Sequence, residues 1–107
     1  MKLQADVAFL LASICCKFND RKMSVQFAKE SLKCYQDAND QKGEAKALHI
    51  LGYARFKSDD FEGCIEASTA ALSIYQRLAS KRLEAYEAFV IAQYYIAKTQ
   101  TQQARNI

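Results

Sequence analysis

The sequence predicts an all-α protein of five helices. Alanine, leucine, lysine, glutamate and glutamine are abundant and proline is absent, a composition that favours helix along the whole chain. Polar turn residues recur about every 20 positions, at Asn19, Asp40, Asp59 and Ser80, a spacing that suits ordinary helices joined by short links. The sequence also superimposes on itself at a shift of 40 residues, the mark of a tandem repeat. At that shift Ala5 falls on Ala45 and Ala85, Leu11 on Leu51 and Ile91, Lys17 on Lys57, Asp20 on Asp60, Leu32 on Leu72, and Tyr35-Gln36 on Tyr75-Gln76.

The first helix is expected from about Lys2 to Phe18. Its apolar run, Val7 to Cys16, is too short to span a bilayer, and no cleavage site marks it as a leader. The second runs from about Asp20 to Ala38 behind Asn19, a capping residue type whose reciprocal acid is replaced by Lys22. Asp40 is the cap candidate for the third, Gln41 to Lys57. Asp59 with Glu62 makes a capping box for the fourth, Asp60 to Ala79. Ser80 precedes the fifth, Lys81 to Ala104, which is expected to fray into the polar tail Thr99 to Asn106. The breaks should alternate a tight link with a looser one, and short links make neighbours antiparallel. The expected organisation is a single domain of two helix pairs, about residues 2–40 and 41–80, and a lone helix 81–104.

Composition narrows the function. Half of the 107 residues are hydrophobic and a quarter charged, a globular balance. The charge of +3 comes from 15 basic and 12 acidic residues mixed along the chain. A nucleic-acid binder concentrates its basic residues far more, and Lys2, Lys17, Lys22, Lys29 and Lys33 are spread around two helices as a solvated face. Cys15, Cys16, Cys34 and Cys64 have neither the CxxC nor the Cys/His spacing of a zinc site, so buried reduced thiols and a cytosolic setting are expected. His49 is the only histidine, with no serine, cysteine or aspartate placed by sequence to form a triad. Gly43, Gly52 and Gly63 are isolated and build no phosphate loop. No enzymatic activity, cofactor or metal is expected.

A tandem helix pair joined by a polar turn resembles the tetratricopeptide repeat. The second unit carries the resemblance best: Leu51-Gly52 stands where the family has its Leu-Gly pair, followed by Asp60-Phe61-Glu62, Cys64-Ile65 and Ala71-Leu72. The first unit matches through Leu11-Ala12, Asp20, Ser24-Val25 and Ser31-Leu32, and the third through Ile91-Ala92 and Tyr95. Gly52 has no side chain, so a facing helix can come close. Departures are plain. Ala8, Leu48 and Ala88 stand where the family has tryptophan, Gln36 and Gln76 where it has proline. The period exceeds the family's usual ~34 residues, and the longer unit resembles the repeats of G-protein-linked spindle adaptors and kinesin light chains. HEAT and armadillo repeats share the period.

The resemblance implies an α-α superhelix whose first helices line a concave, partner-binding groove. Its groove positions fall on Asp6, Phe9, Ser13, Cys16 and Lys17, then Lys46, His49, Tyr53, Phe56 and Lys57, then Tyr86, Phe89, Gln93, Ile96 and Ala97. Aromatics among lysines suit a protein or peptide partner that is apolar with acidic residues. The clamp with which chaperone-binding members grip a terminal carboxylate is missing, since Phe9, Ser13, His49 and Tyr53 occupy its places. The last helix adds a second expectation. Tyr86, Phe89, Val90, Tyr94, Tyr95 and Ile96 cover more than one of its faces, so either more repeats follow or it packs on a second copy as a homo-oligomer.

Overall fold

The structure, a computed structural model, describes residues 2–105. Among these residues there are five α-helices and no strand: α1 (Lys2–Lys17), α2 (Arg21–Asp37), α3 (Gln41–Lys57), α4 (Phe61–Arg77) and α5 (Lys81–Arg105). The all-α repeat is therefore as expected. The polar end of α5 does not fray, however, and the helix runs through to Arg105. Asn106, included in the expected tail, lies outside the described residues.

All four breaks are built alike, which corrects the expected alternation of tight and loose links. Asn19, Asn39, Asp59 and Ala79 adopt φ of 62, 54, 63 and 56°, the left-handed conformation that ends a helix. In each turn the next residue sends its N–H five residues back, as from Asp20 to Cys15 O at 2.8 Å and from Asp60 to Arg55 O at 2.9 Å. At the first three breaks that same residue also caps the following helix. Asp20, Asp40 and Asp60 accept from the backbone N–H of Met23, Gly43 and Gly63 at 3.2, 3.0 and 3.0 Å, satisfying a donor the helix start leaves open. The caps are thus Asp20 and Asp60, not Asn19 and Asp59, and the expected Asp59–Glu62 box does not form. Asn and Asp suit both jobs, and position in the turn decides which they do.

Each helix packs against the next, and α1 also touches α3, giving a slab of 49 × 31 × 17 Å. The helix α3 is covered on two faces. Its forward face meets α4: Ala45 clusters with Ala71, Ile74 and Tyr75, and a Cβ on Gly52 would stand 2.8 Å from Ser68 Oγ and 3.1 Å from the Cys64 carbonyl. The close approach expected at Gly52 is thus real, and a side chain there would force Ser68 and the α4 backbone to shift. The rear face meets α2: Ile50, Leu51 and Ala54 cluster with Ala28, and Ala47 with Tyr35. Between α1 and α2, Ser31 Oγ donates to the Ala5 carbonyl at 3.2 Å and the Tyr35 hydroxyl donates to the Asp6 carboxylate. Small residues dominate these seams, so backbones come close and dispersion contacts stand in for large apolar area.

Candidate functional site

The rows of α3 and α5 that look across at each other do not close. His49, Tyr53 and Phe56 recur at steps of four and three and so share one face of α3. Tyr86, Phe89, Gln93 and Ala97 do the same on α5. Between them lies an open groove of about 630 Å³, whose walls are mostly aromatic. Tyr53 is 38% exposed, Tyr86 54% and Phe89 61%, while Phe56 is half-buried and holds the floor. Phe56 lies 5.0 Å from the Tyr94 ring and meets Phe61 edge-on at 5.8 Å, arrangements aromatic quadrupoles favour. The groove is kept apart by these rings, which are too large to interdigitate as alanines do.

One polar tie crosses beneath it. Glu87, 1% exposed, takes His49 Nδ1 on both carboxylate oxygens at 2.8 and 3.2 Å. A buried carboxylate needs such a partner, since the interior does not hydrate it. The pairing also aims the imidazole, which lies 5.7 Å from the Tyr86 ring. Tyr94, buried below, has its hydroxyl pKa pushed up by desolvation, with the nearby Cys64 and Glu87 adding to it. Burial likewise pushes the Cys64 thiol up to about 11, helped by Asp60. At the rim Lys57 Nζ stands 5.8 Å from the Tyr53 ring, within cation–π range.

Of the ten expected partner-binding residues, six line this groove: His49, Tyr53, Phe56, Tyr86, Phe89 and Gln93. Lys57 sits at its edge. Phe9, Lys17 and Lys46 are not part of it. Phe9 is half-buried and packs on the α1–α3 cores, where Lys46 Nζ covers its ring at 4.7 Å. Lys17 is exposed at the end of α1, and Cys16 is in the core at 3% exposure. The direct contact of α1 with α3 is the reason: it fills the continuation of the groove with Phe9 and Cys16. The expected row of basic residues is therefore reduced to Lys57.

Sequence reasoning placed Tyr94 in the last helix without separating it from its exposed neighbours, and it missed Glu87. The signal for Glu87 is the repeat itself. It stands in register with Ala47 and Val7, an apolar column in which one acid calls for a partner. Among the described residues no group of three or more His, Cys, Asp or Glu side chains is placed to hold a metal ion, and no helix is long and apolar enough to cross a membrane. Compared with known proteins, the chain matches no family model, and no curated protein and no solved structure matches it.

Proposed function

We propose that this chain is an interaction scaffold that receives a segment of a partner polypeptide in the groove between α3 and α5. The observation that carries the reading is the convergence of exposed aromatics from two helices on one open, concave surface. Such clefts bind through a few buried anchors fixed by sparse polar groups, and the His49 ring and Gln93 are the polar groups here. The fitting segment presents apolar or aromatic side chains at helical or alternate spacing, with an acidic residue to meet Lys57. Kinship with tetratricopeptide repeats is part of the same proposal, supported by the tandem helix hairpins and by the close approach at Gly52. Four free thiols support a reducing, cytosolic setting.

The test is selection of peptides on the intact chain, followed by titration against Tyr53→Ala and Phe89→Ala. Both side chains are exposed, so circular dichroism should be unchanged. The expected result is binding weakened at least about tenfold by each substitution, the loss of one good anchor. Peptides that bind both variants as tightly as the parent would sink the groove.

A further inference from the structure

The repeat register shows that α1 and α5 each leave uncovered a face whose equivalent elsewhere in the chain is buried. On α3 the rear positions are Gly43, Ala47, Ile50 and Ala54, all buried and packed on α2. Forty residues earlier the same positions on α1 are Leu3, Val7, Leu10 and Ile14, which are 75, 48, 59 and 48% exposed. On α1 the forward positions Ala5, Ala8, Ala12 and Cys16 are buried. Eighty residues later they are Ala85, Ala88, Ala92 and Ile96 on α5, all exposed.

We infer that copies of this chain stack head to tail, the stripe of large residues on α1 of one copy seating on the α5 stripe of the next, three alanines ending in Ile96. Three observations support a second copy as the occupant. Each stripe continues a seam that the chain itself closes elsewhere, α1 repeating the rear face of α3 and α5 the forward face of α1. The two are equal in length, three turns or about 16 Å at the helical rise, and large side chains against small ones interdigitate where two large stripes would not. Charge agrees with a parallel alignment. Glu30 is exposed beside Leu3 and Val7, and Arg82 is exposed one turn ahead of Ala85, so opposite charges meet at one end. The contact is heterologous, so assembly proceeds beyond a pair, to a ring where the rotation closes and a filament where it does not. Of its α5 residues only Ile96 also borders the groove, and the inference goes beyond the partner-binding reading.

The test is sedimentation of the intact chain over a concentration series, with Leu10→Lys on α1 and Ala88→Arg on α5. Both positions are exposed, and thermal melts verify that each variant folds. Parent mass should climb with concentration past about three times that of one chain. Each variant alone should sediment as one chain. An equal mixture should form pairs of about twice that mass, because each variant keeps the stripe the other has lost. Phe89→Ala should assemble like the parent, which separates this inference from the groove. Single-chain mass for the parent at every concentration overturns the proposal. So does assembly lost in Leu10→Lys but kept in Ala88→Arg, which would mean α1 pairs with itself, and so does a mixture that fails to pair.

Discussion

Two helix pairs, α1 with α3 and α3 with α5, are built from the same register and end in opposite states. At equivalent positions the first has Phe9, Ser13 and Cys16 on α1, and the second His49, Tyr53 and Phe56 on α3. The first half is shut: α1 touches α3 and Cys16 is buried. The second is an aromatic groove of about 630 Å³. The lesson is that side-chain volume, not backbone plan, decides whether a repeat leaves a binding surface. Ser13 and Cys16 let neighbouring helices meet, and Tyr53 and Phe56 prop them apart.

The most forceful way to break this contrast is to remove the prop's anchor. Tyr94 is 5% exposed and stacks on Phe56, so Tyr94→Ala should cost about 3 kcal/mol in chemical denaturation. Amide exchange should quicken along α5 and stay slow in α1 and α3, and equal quickening everywhere would show that α5 is not separately anchored. Next is His49→Ala, which leaves the Glu87 carboxylate buried without its partner, at a cost of about 2 kcal/mol. Adding Glu87→Leu should recover much of that loss, and a double variant no more stable than the single would contradict the pairing.

The turn into α5 gives a smaller lever. Asn19, Asn39 and Asp59 tolerate the left-handed conformation, but Ala79 holds φ of 56° with nothing in its side chain to favour it. Ala79→Gly should gain about 1 kcal/mol by thermal melt, and Asn39→Gly far less, so equal gains would deny that the open half hangs on the weaker turn. Alkaline pH should also sharpen the contrast. Cys64 deprotonates near 9 when unfolded and near 11 when folded, so the unfolded state releases its proton first and stability falls as pH rises from 9 to 11. Cys64→Ala should flatten that part of the curve. The smallest effect is for Tyr53→Ser, which copies Ser13 into the open half. It should leave stability within about 0.5 kcal/mol and still weaken peptide binding.

Much of this was legible beforehand, for identifiable reasons. Helical steps of three and four put His49, Tyr53 and Phe56 on one face whatever their neighbours do. The repeat fixed the helix pairs, since turn residues in register are hard to obtain by chance. Phe9 was misplaced because its exposure depends on how near a second helix comes, which one helix's pattern does not hold. The Glu87–His49 pair spans two helices, and nothing local to either residue announces it. Asn19 and Asp59 were misread because Asn and Asp both cap helix starts and end helices in the left-handed form. Only their place, one residue before an aspartate that can cap, tells the two apart.

That doubling of roles in the turns has one more consequence. Because Asp20, Asp40 and Asp60 each close one helix and open the next, a link contains no slack residue. A deletion or insertion of a single residue there cannot be taken up as a bulge. It would rotate every downstream side chain by about 100° about its axis and turn aromatic walls into core. The chain can exchange its side chains freely but not its spacing: the turns are the ruler against which the faces are cut.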